Sequence, residues 1–277
     1  MPSTLGRIVD KDLIFEAYVS GNVSVASTLE SNRFNLNHPD VYLAMNSELS
    51  RYNLENIHSN LHEMVEFLML SLQAGVEINS RIKSPSSVYY SLTRTNSDEL
   101  TVSEIRDLIA FRLLVDSANF DEFYDSSVDV LVQLIPMLAD RGYLLDVQIH
   151  NSIDHPMQQV HLRCKVDGVF VEIKLMNHYY YSVFERTLYP LWEGFMKSKF
   201  STKGMKNIFH DRDSIWGITC SAFHDKSGDL MTLEHRCQCE GLSCHIRGNM
   251  TEHRYRVFFD HIDSICKEVG IDVSEKR

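Results

Sequence analysis

The sequence has no apolar run long enough to cross a lipid bilayer. Its densest apolar stretches, residues 64–72 and 108–115, are far shorter than the ~20 residues that a membrane-spanning helix requires. The first thirty residues also lack the basic start, apolar run and small-residue cleavage site of a secretory signal. We therefore expect a cytoplasmic protein without a membrane partner, while a secreted effector lacking a signal peptide stays open.

Positive charge is scarce as well. The 277 residues include 27 lysines and arginines against 38 acidic residues, a formal net charge of -11. Such a chain does not coat nucleic acid by bulk attraction, so an anionic ligand has to be bound by a local group of cations. The six cysteines do not form the regular framework of a small secreted disulfide scaffold. A hydrophobic content of 44% is sufficient for a large buried core.

Hydrophobic periodicity predicts a helical N-terminal region over residues 1–77. Between Leu54 and Ala74, apolar residues recur at steps of three and four, as in a helix with one buried face. Residues 10–48 have the same character, with breaks at Gly21 and around His38. We expect helices to form this whole region.

Residues 78–200 combine strand and helix patterns. Ser84 and Pro85 are typical of a helix start, and the Asp167-Gly168 pair between two β-rich runs predicts a two-residue hairpin turn. The pattern predicts strands over 108–115, 144–149, 159–166 and 169–175, and helices over 84–94, 121–140 and 180–195. The predicted fold class is α+β, with a mixed, mostly antiparallel sheet flanked by helices. Residues 201–277 form a C-terminal extension that ends in a helix over 256–269.

Two carboxylates stand out because apolar residues surround them. Asp107 opens one predicted strand, and Glu172 lies in the middle of another. Carboxylates from two strands of one sheet can hold Mg²⁺, which prefers oxygen ligands and shares its coordination shell with substrate phosphates. A structural role fits the spacing equally well, with Asp107 only beginning its strand and Glu172 facing solvent.

Three cations lie near these carboxylates in the sequence. Arg81 and Lys83 precede a predicted helix start, where backbone amides and positive side chains can converge on a polyphosphate. Arg112 lies inside an apolar strand and requires a partner, which is either a ligand or a buried structural ion pair. Strict alternation puts Arg112 and Asp107 on opposite faces of that strand.

Together these residues resemble the synthetase domain of the RelA/SpoT family, including the small alarmone synthetases. The matching segments, in the family's order, are Arg81-Ile82-Lys83 with Ser87, Asp107-Leu108-Ile109-Ala110-Phe111-Arg112, and Glu172-Ile173-Lys174, followed by Glu185 and Trp192. The resemblance covers roughly residues 55–200 and implies a nucleotidyltransferase-like fold. It also implies an ATP-dependent pyrophosphokinase that transfers the β,γ-pyrophosphate of ATP to a ribose 3'-hydroxyl, usually of GDP or GTP.

The resemblance further implies residue roles. Asp107 and Glu172 would be catalytic and would hold Mg²⁺, and Glu172 would help to activate the acceptor hydroxyl. The phosphates of the co-substrate ATP would contact Arg81, Lys83, Ser87 and Arg112. The acceptor nucleotide would contact Met157, Gln158, His161 and Lys174.

The acceptor side departs from the family pattern. Met157 occupies the place of the tyrosine that stacks on guanine, in a loop over 156–161, and a thioether offers no aromatic face. Met176 and Ser91 stand where the family has an arginine and a lysine. The acceptor is therefore left open among GDP or GTP, an adenine nucleotide and tRNA, and oligomer formation is left open too.

Two other functions stay open. One is a catalytically degenerate nucleotide-binding domain with a regulatory or interaction role. The other is a toxin-type synthetase that modifies tRNA, for which a stripe of four lysines could contact phosphates. Those lysines are equally well explained as a solvated helix end: Lys197, Lys199, Lys203 and Lys206.

A cysteine and histidine cluster in the C-terminal extension is a second candidate site. Its members can bind zinc tetrahedrally, although the Cys-x-Cys spacing is not a usual finger pattern and a reduced loop with free thiols is the alternative. The ligand candidates are Cys237, Cys239, Cys244 and His245, with His235 nearby. The other histidines are scattered. A histidine such as His62 is typically a residue at the edge of the core whose hydrogen bonds are satisfied.

Overall fold

Two compact units make up the chain in the computed structural model. The first comprises residues 1–48, 84–90 and 181–244, and the second comprises residues 49–83, 91–180 and 245–277. Within these units the structure describes residues 13–14, 17, 23–72, 75–94, 101–116, 120–152, 155–178, 181 and 252–276. The three regions predicted from sequence, 1–77, 78–200 and 201–277, stay a prediction.

The helices and strands follow the predicted order closely. Along the chain they are α1 (Val23–Asn37), α2 (Pro39–Leu49), α3 (Leu54–Ser71), β1 (Val76–Ile82), α4 (Pro85–Arg94), β2 (Ile109–Val115), α5 (Phe120–Asp140), β3 (Leu144–Ser152), β4 (His155–Val166), β5 (Val169–Asn177), α6 (Glu252–Glu268) and β6 (Asp272–Lys276). The helix predicted over 180–195 lies outside the described residues, apart from Tyr181. No helix in the described part of the chain combines the length and apolarity that crossing a membrane requires.

In the first unit, helices meet around Phe34. α1 and α2 are separated at His38, which is the break that the sequence predicts. Phe34 is buried, and its ring centroid lies 5.0 Å from that of Tyr89 and 6.0 Å from that of Tyr90 on α4. Aromatic burial of this kind is a large contribution to the stability of a small helical layer.

The second unit contains a six-stranded mixed sheet in the order β1-β2-β5-β4-β3-β6. β1 pairs with β2, β5 with β4, and β4 with β3 in antiparallel orientation. β2 and β5 pair in parallel, as do β3 and β6. Antiparallel pairings therefore predominate, and the predicted α+β fold class with a mostly antiparallel sheet is confirmed.

One face of this sheet is apolar and packs against helices. The alternate residues Ile109, Phe111 and Leu113 of β2 are completely buried. α3 contacts β1, and α5 contacts both β2 and β3. Because successive residues of a strand point to opposite faces, the residues between these apolar positions lie on the other face of the sheet.

The β4–β5 hairpin turns at Asp167 and Gly168, as the sequence predicts. Their φ angles are 50° and 82°, both in the left-handed region that a two-residue hairpin turn requires. Glycine adopts such angles without steric strain, and aspartate tolerates them better than most residues. The turn sets the register that pairs Arg163 of β4 with Glu172 of β5.

Two edge strands and the start of a third strand are absent from the sequence prediction. β1 has the sequence VEINSRI and β6 has DVSEK, so polar residues outnumber apolar ones and the apolar signal is weak. Edge strands often carry such polar residues, which discourage pairing with other chains. β4 begins at His155, four residues before the strand predicted over 159–166, and pairs with β3.

Two histidines of α3 meet β1 on the apolar side of the sheet. His58 Nε2 lies 2.8 Å from Ser80 Oγ, and His62 Nδ1 lies 3.4 Å from the same oxygen. Both imidazole rings lie over Phe111, with centroid separations of 5.4 and 6.2 Å. Burial and the neighbouring His62 lower the pKa of His58, while Glu55 acts in the opposite direction.

Acidification is therefore expected to destabilise the protein through His58. Since the pKa of His58 is lower in the folded chain than in the unfolded chain, the unfolded chain takes up a proton first as the pH falls through about 6.5. Urea unfolding at about pH 7.5 and about pH 5.5 should show a larger loss of stability for the wild type than for His58→Gln. An equal loss of stability in the wild type and in His58→Gln would contradict the role of His58.

Candidate functional site

The other face of the sheet carries charged residues that align across the strands. Residues paired in register point to the same face. One row across the six strands consists of Arg81, Ala110, Glu172, Arg163, Asp146 and Asp272. The adjacent row consists of Asn79, Arg112, Lys174, His161, Gln148 and Ser274. Each of the six strands thus contributes at least one charged residue to one face, which we call the charged face.

Glu172 lies near the centre of the charged face, between a histidine and a lysine. Its Oε1 is 3.2 Å from His161 Nδ1, and its Oε2 is 3.3 Å from Lys174 Nζ. Burial alone would raise the pKa of Glu172, but the hydrogen bond from His161 and the charge of Lys174 outweigh it and lower the pKa to about 2. The carboxylate is therefore ionised at neutral pH, and its side chain is 19% exposed.

Asp107 lies beside a second pair of cations at the ends of β1 and β2. Lys83 Nζ donates to Asp107 Oδ1 at 2.5 Å, and Arg81 Nη2 lies 3.5 Å from Asp107 Oδ2. The backbone N–H of Lys83 donates to the Leu108 carbonyl at 2.8 Å, which continues the strand pairing beyond Ile82. Arg81 and Lys83 are thereby held close together, and Asp107 neutralises part of their charge.

Arg112 lies on the charged face, next to Lys174 in register. The sequence predicts opposite faces for Arg112 and Asp107 by extending strand alternation back to Asp107. β2 begins only at Ile109, so this alternation does not reach Asp107, and its side chain contacts Arg81 of the charged face. The predicted cations Arg81 and Arg112 therefore share a face with Glu172.

Asp146 and Arg163 form an ion pair on this face that the sequence prediction missed. Arg163 Nε donates to both carboxylate oxygens of Asp146 at 2.7 and 2.8 Å, and its Nη2 donates to Oδ2. These hydrogen bonds raise the pKa of Arg163, and Gln148 Nε2 donates to Asp146 Oδ1 at 3.1 Å. The available signal was a charged residue inside each predicted strand, which alone does not identify a partner.

Other predicted site residues lie elsewhere. Ser87 belongs to the first unit, where its backbone N–H donates to Ser84 Oγ at 3.3 Å near the start of α4. Met157 and Gln158 are part of β4, but their side chains lie outside what the structure describes. Also outside the described residues are Glu185, Trp192, Lys197, Lys199, Lys203, Lys206, His235, Cys237, Cys239, Cys244 and His245.

The residues that are present suit a hard divalent cation. Mg²⁺ is commonly bound by one or two protein carboxylates, with water and substrate phosphates completing its shell. Asp107 and Glu172 supply anionic oxygens, and Glu172 is ionised at neutral pH because its pKa is about 2. In the described part of the chain, no group of three or more His, Cys, Asp or Glu residues is arranged to hold a metal. A magnesium site here would therefore depend on substrate oxygens.

Comparison with protein-family models and with curated proteins finds no match to this chain. Among solved structures, it is similar to small alarmone synthetase 1 from Bacillus subtilis, with a TM-score of 0.36 and 14% identity over 69% of this chain and 93% of that one. The same protein bound to its product pppGpp gives a TM-score of 0.36 at 13% identity, covering 69% and 94% of the two chains. The same protein bound to AMPCPP gives a TM-score of 0.32 at 13% identity, covering 69% of this chain and 93% of that one. Values this low establish neither a shared fold nor a shared activity.

Proposed function

We propose that this protein is an ATP-dependent pyrophosphokinase that transfers the β,γ-pyrophosphate of ATP to a ribose 3'-hydroxyl of a nucleotide. The observation that carries the proposal is the register of β1, β2 and β5. It aligns Arg81 with Ala110 and Glu172, and Asn79 with Arg112 and Lys174. Residues from all three matching sequence segments thus lie on neighbouring strands of one face, as a single phosphate and metal site requires.

Arg81, Lys83 and Arg112 of the second unit are the proposed ligands of the ATP phosphates. Arg81 and Lys83 are held beside each other by Asp107. A triphosphate carries more negative charge than one carboxylate, so it would attract both cations and leave the Asp107 oxygens available to a metal. Phosphate binding and metal binding would then favour each other.

Asp107 and Glu172 are the proposed holders of Mg²⁺, which would neutralise charge on the transferred group when bound. Glu172 is too weak a base to take a proton fully from a ribose hydroxyl, because its pKa is about 2. It instead orients that hydroxyl by accepting its hydrogen bond. The 3'-oxygen forms a bond to the β-phosphorus of ATP, the bond from that phosphorus to the AMP oxygen breaks, and the hydroxyl proton passes to solvent. Catalysis of this type depends mainly on in-line positioning and charge neutralisation.

The acceptor is proposed to bind on the part of the charged face formed by β4, β5 and β3. His161 and Lys174 border Glu172 there, and Arg163 pairs with Asp146 in the same row as Glu172. These groups can contact phosphate and ribose oxygens. Met157, in place of an aromatic residue, weakens the case for guanine stacking, so adenine nucleotides and tRNA remain acceptor candidates.

The proposal is tested by incubating the purified protein with γ-labelled ATP, Mg²⁺ and a panel of acceptors, followed by separation of the products. The panel consists of GDP, GTP, adenine nucleotides and tRNA. Transfer is expected to yield a labelled acceptor and an equimolar amount of AMP. Binding of ATP without formation of AMP would contradict the proposal and favour a nucleotide-binding regulatory domain. Release of labelled phosphate with ADP would indicate ordinary ATP hydrolysis and would also contradict it.

A further inference from the structure

His58, His62 and Ser80 converge on one point between α3 and β1. His58 Nε2 and His62 Nδ1 lie 2.8 and 3.4 Å from the single oxygen Ser80 Oγ. Ser80 pairs in register with Phe111, so this point lies on the apolar face of the sheet, opposite the charged face. The arrangement is therefore separate from the proposed transferase site, and its role does not depend on that function.

We propose that His58 and His62 form a binding site for a divalent transition-metal cation of the Zn²⁺, Cu²⁺ and Ni²⁺ class. Histidines four residues apart lie on the same side of a helix and can bind one cation together. Imidazole nitrogens suit these metals better than they suit Mg²⁺ or Ca²⁺. Because zinc–nitrogen bonds are about 2.1 Å long, both rings would have to move from their present contacts with Ser80 Oγ toward a shared ion.

The neighbouring side chains hold both imidazole rings in orientations suitable for binding one cation together. The rings are stacked with centroids 6.0 Å apart and an interplanar angle of 20°, and Phe111 supports them from below. Ring orientation fixed by neighbouring groups is a general feature of histidine ligands.

The His62 side of this point borders a groove that is open to solvent. A groove of about 540 Å³ beside α3 is lined by His62, Glu66, Gly75, Val76 and other residues of the same region. Glu55 and Glu66 are exposed on α3 on either side of the histidine pair. Their carboxylates attract cations. The protein would supply two nitrogen ligands, and water would complete the shell.

The competing explanation is a hydrogen-bond bridge with no metal. The Ser80 hydroxyl can donate to one imidazole and accept from the other, which satisfies all three groups without any ion. Titration of the full-length protein with Zn²⁺ by calorimetry separates the two explanations. The wild type is expected to bind one more equivalent of Zn²⁺ at micromolar concentration than the double variant His58→Gln/His62→Gln. Each single variant is expected to bind that equivalent at least ~10-fold more weakly.

Control variants keep the test specific. His261→Gln, which replaces an exposed histidine of α6, is expected to leave the zinc stoichiometry unchanged. Since the cysteine cluster around Cys239 is a predicted zinc site, the titrations are repeated in a Cys237→Ser/Cys239→Ser/Cys244→Ser background. Equal zinc stoichiometry in the wild type and the double variant would overturn the proposal, as would binding only at millimolar Zn²⁺. Urea unfolding of the double variant without metal verifies that it is folded.

Discussion

Glu172→Gln is expected to lower the rate of pyrophosphate transfer by about 10³-fold, because it removes the negative charge at the centre of the charged face. Glutamine keeps the size and hydrogen-bonding capacity of the side chain, so substrate binding should change less than the rate. The neighbours His161 and Lys174 would lose the carboxylate that they contact at 3.2 and 3.3 Å. The rate of AMP formation from ATP in the presence of the best acceptor measures this effect.

A matched control for this variant is Glu77→Gln. Glu77 lies on the same face of β1, is 49% exposed and contacts His178 at 3.1 Å, away from the proposed reacting groups. Its replacement should leave the transfer rate within about twofold of the wild-type rate, as expected for a surface substitution.

Asp107→Asn is expected to reduce the transfer rate as Glu172→Gln does. If Glu172→Gln lost stability but kept its rate, Glu172 would have a structural role and the proposed site would be wrong.

Phe111→Ala is expected to lower the free energy of unfolding by about 3–5 kcal/mol. Phe111 is completely buried in β2 and contacts the rings of His58 and His62 on α3. Truncation would therefore leave a cavity between the sheet and α3, in addition to the lost transfer free energy of the ring. Urea unfolding followed by circular dichroism measures the change.

Phe67→Ala provides the comparison for Phe111→Ala. Phe67 is on α3 but is 76% exposed, so its removal creates no cavity and should change stability by no more than about 0.5 kcal/mol. Similar losses for the two variants would show that the sheet face of α3 is not packed as described. A loss below about 1 kcal/mol for Phe111→Ala would show the same.

Much of the local structure follows from sequence patterns that span only a few residues. The apolar repeat of α3, the break at His38 and the Asp167-Gly168 turn each depend on local geometry, and all three predictions are confirmed. β1 and β6 were missed because edge strands bury only one face, so their apolar signal is diluted by charged residues.

The candidate site was also predictable in part, where the signal depends on residues close together in the chain. Asp107 and Glu172 were identifiable as charges within apolar segments, and Arg81 and Lys83 by their position before a helix start. The partner of each charge was not identifiable. Asp146 and Arg163 are 17 residues apart, and only the β3–β4 register brings them together. The contact of His58 and His62 with Ser80 likewise requires α3 to pack on β1.

By itself the sequence determined which segments are helices and strands, where the main hairpin turns, and which charged residues lie within apolar surroundings. These properties depend on residues close together in the chain. The strand order and register were decided only by tertiary structure, because they depend on how distant segments share one core. The insertion of β5 between β2 and β4 brings Glu172 beside His161 and into one row with Arg81.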